Sequence, residues 1–171
     1  RFPTMGDFAT GRVGAALGPA DDPSEDDVRQ AFVDVESWLA AKAKPMLDRL
    51  RPPASAAGLQ AVGALHLPDA LVWALMLHDG GVRVFDFDIH DTSALASSQA
   101  QPGGHRAIGT SAVDDVQLCL ERDQSITARS ADGSCAAIAS SFAVLLQSWR
   151  DALVSNRFVF LGEDEGFVEV G

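Results

Sequence analysis

The stretch HDGGVRVFDFDIHD, residues 78–91, marks the point at which the chain changes from helical to extended structure. Before it, apolar residues recur every three or four positions, which is the spacing of one helix face. Within it, paired glycines supply the left-handed backbone conformation that ends helices. After the glycines, Phe85, Phe87 and Ile89 alternate with polar residues, which is the period of a strand. The chain is therefore predicted to be an α+β protein, with helices first and a sheet after them.

Upstream of this stretch, the spacing predicts a series of helices with recognisable starts. Ser24 suits the N-cap of the first, whose apolar residues keep helical spacing to about Lys44. Ser55 suits the N-cap of a short second helix. Pro68 suits the first turn of a third, because the N–H that proline lacks is not used there, and this helix ends near His78. These helices form the predicted N-terminal part of the domain.

Downstream, the pattern predicts an antiparallel sheet of about four strands and a C-terminal helix packed against it. Residues 82–89 form one predicted strand with a polar face and a bulge after Val84. The segment from Ser93 to Gly104 is rich in Ser, Gln and Gly, and is predicted to be an exposed, mobile loop. Further strands are predicted over residues 113–120, 125–130 and 135–139, followed by a helix that begins after Ser140 or Ser141.

The length and composition favour one domain. A chain of 171 residues that is 47% apolar can bury a single core, so we predict one domain over residues 24–171 after a flexible leader over residues 1–23. No apolar run approaches the roughly 20 residues of a membrane-spanning helix, and no signal segment is recognisable, so a cytoplasmic location is expected. Cys119 and Cys135 lie in different predicted strands. One disulfide is possible, and two buried reduced thiols are the preferred interpretation.

The charge balance narrows the class of partner. The 24 acidic and 13 basic side chains give a net charge of −11. Such a surface repels phosphate backbones and anionic lipids, so neither nucleic acid nor a membrane is an expected partner. The charge can serve solubility alone, or it can attract a basic protein. The oligomeric state stays open.

A protein-binding face is predicted from the acidic residues that follow the helices and those near the C-terminus. Trp73 is added to this face because it lies off the apolar stripe of its helix. The candidate partner-binding residues are Asp79, Asp86, Asp88, Asp91, Glu163, Asp164, Glu165 and Trp73.

The rival hypothesis is chemistry at the carboxylates near His90. Asp86, Asp88, His90 and Asp91 have residue types that can hold a divalent cation, which would suit a metal-dependent hydrolase. The same pattern describes the polar face of a half-buried strand, and this is the preferred interpretation. The sequence has no Gly-x-Ser-x-Gly turn, no dinucleotide-binding glycine motif and no phosphate-binding loop. No catalytic residue, metal or cofactor is therefore predicted.

Several segments, in this order and spacing, resemble the SUKH superfamily, a group named in part after a yeast cell-wall assembly regulator. They are LRPPAS (50–55), LPDAL (67–71), LHDGG (77–81) and SFAVLL (141–146), followed by Trp149. The resemblance covers roughly Val28 to Phe160, and the Ala56–Gly58 stretch departs from the polar residues usual in the family.

The resemblance implies an α+β domain used as a binding module. The first expectation is an immunity-type inhibitor or adaptor that blocks a basic toxin or nuclease through an acidic face. The second is an accessory subunit of a eukaryotic multiprotein assembly.

Overall fold

Four helices precede the sheet in the computed structural model, which describes residues 23–162 and 166–170. They are α1 (Glu25–Lys42), α2 (Lys44–Asp48), α3 (Ala56–Val62) and α4 (Asp69–Leu77). The predicted leader lies outside the described residues except for Pro23, and Glu163, Asp164 and Glu165 lie outside them too.

The predicted helix starts at Ser24 and Ser55 are confirmed by their cap contacts, whereas Pro68 is the N-cap of α4 rather than part of its first turn. The Ser24 hydroxyl accepts a hydrogen bond from the Asp27 N–H at 3.3 Å, and the Asp27 carboxylate accepts one from the Ser24 N–H at 2.8 Å. This reciprocal pair is a capping box, which satisfies free N–H groups at the start of α1. Ser55 caps α3 through its hydroxyl, which accepts a hydrogen bond from the Gly58 N–H at 3.0 Å.

The sheet is antiparallel throughout and has six strands rather than about four. Each strand pairs with the next along the chain, so spatial order follows sequence order. The strands are β1 (Arg83–Val84), β2 (Phe87–Ile89), β3 (Arg106–Ser111), β4 (Val116–Leu120), β5 (Ile126–Ser130) and β6 (Cys135–Ala139). The remaining elements are a 3-10 helix (Gly63–Leu65) between α3 and α4, α5 (Thr92–Ser97), α6 (Phe142–Val154) and a separate hairpin of β7 (Phe158–Phe160) and β8 (Phe167–Glu169).

Trp149 of α6 lies at the centre of the core and is fully buried. Its ring centroid lies 5.0 Å from that of Phe85, 5.7 Å from Phe158 and 5.0 Å from Phe167. Aromatic pairs at these separations add to the stabilisation from buried area. Trp149 therefore joins α6, the sheet and the β7–β8 hairpin in one α+β body.

The predicted strand over residues 82–89 is instead a tight hairpin. Phe85 has a φ of 52°, in the left-handed region, and the chain reverses there between β1 and β2. That conformation is unfavourable for phenylalanine. The Phe85 side chain is only 3% exposed and packs on Trp149 and Phe158, so core packing offsets the backbone cost.

Two other expectations are also wrong. The segment predicted as a mobile loop from Ser93 contains α5, whose N-terminus is capped by Asp91 through the Ala94 N–H at 2.8 Å. The strand predicted from residue 113 begins at Val116, and Val113 is 65% exposed in the turn between β3 and β4.

No described helix is both long enough and apolar enough to span a lipid bilayer.

Candidate partner-binding site

A polar row crosses the sheet from one edge to the other. Directly paired positions place its members side by side in the order Arg83, Asp88, Thr110, Gln117, Arg129 and Cys135. Paired residues in an antiparallel sheet point to the same face. The adjacent row, which includes Leu118, Ala128 and Ala136, is buried in the core. The polar row therefore lies on the outer face of the sheet.

An open groove of about 610 Å³ lies over this outer face. Its strand lining includes Thr110, Gln117 and Arg129, while His105 and Asp115 line it from the segments that flank β3. The turn between β5 and β6 lines it as well. Because rigid strands supply much of the lining, the groove is a formed concavity rather than a gap between loops.

Glu121 and Arg129 form a fixed ion pair beside the groove. One Glu121 oxygen, Oε1, accepts hydrogen bonds from Thr127 Oγ1 at 2.6 Å, Arg129 Nε at 3.0 Å and Arg129 Nη2 at 2.9 Å. Burial opposes ionisation of Glu121, but these hydrogen bonds outweigh it and hold the pKa of Glu121 below its ordinary value. The positive charge of Arg129 is thus compensated within the chain.

Asp114 and Asp115 are the free carboxylates of this region. Both are exposed in the turn between β3 and β4, and Asp115 lines the groove. No basic side chain of residues 23–162 or 166–170 lies within ion-pair distance of either one. Of the Asp, Glu, Lys and Arg residues that line the groove in the described part of the chain, Asp115 is therefore the one without an ion-pair partner.

Three of the predicted contact acids already hold partners inside the chain. The Asp79 carboxylate accepts hydrogen bonds from the Thr92 N–H at 2.7 Å and the Thr92 hydroxyl at 2.9 Å. Asp91 accepts one from Arg51 Nη1 at 2.6 Å in addition to capping α5. Asp88 accepts one from Arg83 Nε and another from Arg83 Nη2, each at 2.9 Å. These contacts hold α5 and the β1–β2 hairpin in place.

Asp86 is buried, contrary to the predicted polar strand face. It is 7% exposed and lies in the turn of the β1–β2 hairpin. Burial raises the pKa of Asp86 to about 7, and the nearby charge of Asp114 adds to that rise. The predicted contact acids Glu163, Asp164 and Glu165 lie outside the described residues.

The four residues of the hypothetical metal cluster face different partners. His90 Nε2 lies 2.9 Å from Thr110 Oγ1, and burial lowers the pKa of His90. Asp88 and Asp91 contact two different arginines. Within the described part of the chain, no group of three or more His, Cys, Asp and Glu side chains is placed to hold a metal ion.

Trp73 is half-buried and lines a shallow depression of about 250 Å³. Pro23, Pro68, Gln124 and Phe142 line the same depression. The buried residues of α4 are Ala70, Leu71, Ala74 and Leu75, so Trp73 lies beside that stripe, as its spacing predicts. This depression is separate from the groove and shares no lining residue with it.

Both cysteines are free thiols. Cys119 is fully buried, and burial raises the pKa of its thiol to about 11, which makes it unreactive. Cys135 is exposed at the edge strand β6, so the expectation of two buried thiols is wrong for this residue.

The groove residues were not among those predicted for partner binding. His105 and Thr110 flank or belong to β3, which has a single large apolar residue, Ile108, and so lacks a clear strand alternation. Gln117 and Arg129 fall in predicted strands as outward-facing polar residues. The signal that could have selected them is their cross-strand pairing, which needs the register of the sheet.

No protein-family model matches the chain, and no curated protein is significantly similar to it. The resemblance to the SUKH superfamily therefore stays a prediction from the segments that carry it. A function for this chain therefore has to be proposed from its fold and its surface.

Proposed function

We propose that this chain is a non-catalytic protein-binding domain whose contact surface is the groove on the outer sheet face. The observation that carries the proposal is the groove itself, a concavity of about 610 Å³ on a sheet face that presents polar side chains. Hydroxyl, amide and guanidinium groups fixed on neighbouring strands suit hydrogen bonding to a polar partner segment. A rigid frame also lowers the ordering cost of binding.

The charge around the groove favours a basic partner. Arg129 is already compensated by Glu121, whereas Asp114 and Asp115 remain exposed without an ion-pair partner among the described residues. The whole chain carries a net charge of −11. Complementary charge mainly accelerates encounter, while contacts inside the groove would supply specificity.

Within this class, the first specific proposal is an immunity-type inhibitor or adaptor that blocks a basic toxin or nuclease. The resemblance of residues 50–81 and 141–149 to the SUKH superfamily supports it, together with the acidic balance. The alternative is an accessory subunit of a eukaryotic assembly. Gene neighbourhood separates them, since an immunity protein is expected beside the gene of its toxin.

The test compares proteins captured from the source cells by three immobilised forms of the chain. The groove variant carries Gln117→Arg and Ser134→Arg, and the control carries Ser37→Arg and Ala41→Arg on the exposed face of α1. All four replaced residues are exposed, and both variants add two positive charges. We expect a protein retained by the wild type and the control but lost from the groove variant. Equal retention by all three forms would contradict the groove as the contact surface.

A further inference from the structure

The β7–β8 hairpin has one face in the core and one in solvent. On the inner face, Phe158 is 2% exposed and Phe167 is 1% exposed, and both pack on Trp149. Alternation along paired strands places Val159 and Val168, which are directly opposite each other, on the other face. The hairpin is thus anchored through one side only.

The outer side of this hairpin carries four aliphatic residues and Arg157, which lies opposite Val170 and forms an ion pair with Glu169 at 2.7 Å. Leu161 and Val170 share it, because the Leu161 N–H donates to Gly166 O at 3.0 Å and the Val170 N–H donates to Arg157 O at 2.8 Å, which continues the pairing at both ends. Val159 is 36% exposed, Leu161 54% and Val170 46%, while Val168 is half-buried. Single exposed aliphatic residues are ordinary, but four on one face of a short hairpin form a continuous apolar surface.

We propose that this hairpin face, made of Val159, Leu161, Val168 and Val170, docks an extended segment of a protein that alternates aliphatic and basic residues. The proposal rests on the chain acting as a protein-binding domain and adds a second contact surface to it. The groove lies on the outer face of the main sheet, whereas the hairpin packs on Trp149 at the inner face. The two surfaces can therefore be tested separately.

The kind of segment that the hairpin face would bind follows from the strand edge and from the charge of the chain. In the register of the two-stranded sheet, Phe158 and Phe160 direct their backbone groups to the outer edge of β7, where an extended segment can form backbone hydrogen bonds. Aliphatic side chains of that segment would cover the hairpin face. The sequence that joins the strands contains Glu163, Asp164 and Glu165, and the whole chain has a net charge of −11. A basic segment is attracted by this charge, whereas a second copy of the chain is repelled.

The experiment uses the full chain with isotope-labelled Val and Leu methyl groups and follows their NMR shifts. The probe is a synthetic decapeptide of alternating Leu and Lys, and the matched peptide replaces each Lys by Glu. We expect saturable shifts at the four hairpin-face residues with the Lys peptide and none with the Glu peptide. Val159→Thr with Val170→Thr should weaken binding by about tenfold, since each change replaces an apolar methyl with a hydroxyl.

The groove variant should bind the Lys peptide as tightly as the α1 control, because both carry the same added charge. This arm separates failure of the hairpin proposal from failure of the groove proposal. The hairpin proposal is overturned by shifts confined to other methyl groups, by unchanged affinity of the threonine variant, or by no binding up to about 1 mM peptide. The proposal is also overturned by NMR shifts that depend on protein concentration alone, because these indicate that a second copy of the chain binds. A lower melting temperature of the threonine variant overturns it as well, because this indicates that the chain itself covers the hairpin face.

Discussion

Asp86 shows how one residue can depart from its sequence pattern for a physical reason. It alternates with Phe85 and Phe87, so a regular strand would present it to solvent. The left-handed conformation of Phe85 reverses the chain at this point and brings Asp86 into the buried turn. No local pattern predicts that reversal, because it depends on the packing of Phe85 against Trp149, a residue 64 positions further along the chain.

The stability of the protein should therefore depend on the protonation of Asp86. The pKa of Asp86 is about 7 in the folded chain against 3.8 for the unperturbed group. Folding takes up a proton between these values, so the free energy of unfolding should fall as pH rises from about 4 to about 7, by at most about 1.4 kcal/mol per pH unit. Asp86→Asn cannot ionise and should remove this fall, which makes it more stable than the wild type at pH 8 but not at pH 4.

Urea denaturation across this pH range checks the prediction, with Asp115→Asn as the exposed control. The free energy of unfolding of the control should change with pH as that of the wild type does. If the free energy of Asp86→Asn also changes with pH in this way, Asp86 is not the residue that takes up the proton.

The contact between the short helices α3 and α5 explains why α3 has a glycine at position 58. A Cβ atom on Gly58 would lie 2.6 Å from Thr92 Oγ1, which is closer than such atoms approach. Thr92 cannot easily move, because it is 4% exposed and bonded to Asp79 through both its N–H and its hydroxyl. Gly58 thus has a packing reason in this chain, whereas Ala56 and Ala57 are exposed.

Two glycine substitutions test that explanation. Gly58→Ala should lower the free energy of unfolding by about 1 kcal/mol or more, because the overlap with Thr92 outweighs the better helix propensity of alanine. Gly63→Ala is the matched control, since nothing lies within 4 Å of its added Cβ and its φ is −59°. It should be neutral or stabilising by up to about 1 kcal/mol. Chemical denaturation of both variants measures the difference, and a stabilising Gly58→Ala would show that α3 and α5 are not in close contact.

The elements that could be predicted are those with local signals. Ser24, Ser55 and Ser141 cap helices where the sequence places them. β3 and α5 carry weak signals of their own and are fixed by tertiary contacts. α5, for example, has a local cap at Asp91 but is also held by Asp79, 13 positions before Thr92.

At the scale of the whole molecule, internal pairing decides which charges remain for a partner. The acids predicted to form the contact face include Asp88 and Asp91, which neutralise Arg83 and Arg51. The groove joins residues from β3, β4 and β5, so it exists only once the register of the sheet is set. The net charge can be calculated from the composition. Which charged side chains lack an ion-pair partner within the chain cannot.

Binding of a basic protein in the groove is tested by the association rate of the captured partner. Raising the salt from about 10 mM to about 150 mM shortens the Debye length from about 30 Å to about 8 Å. We expect surface plasmon resonance to show slower association at the higher salt and little change in dissociation. Asp114→Asn with Asp115→Asn should slow association at low salt, whereas the control Asp26→Asn with Asp48→Asn should slow it less. Binding in the groove would be contradicted by an association rate that does not depend on salt and is equal in the two Asp→Asn variants. The same rate would also have to be unchanged by Gln117→Arg with Ser134→Arg.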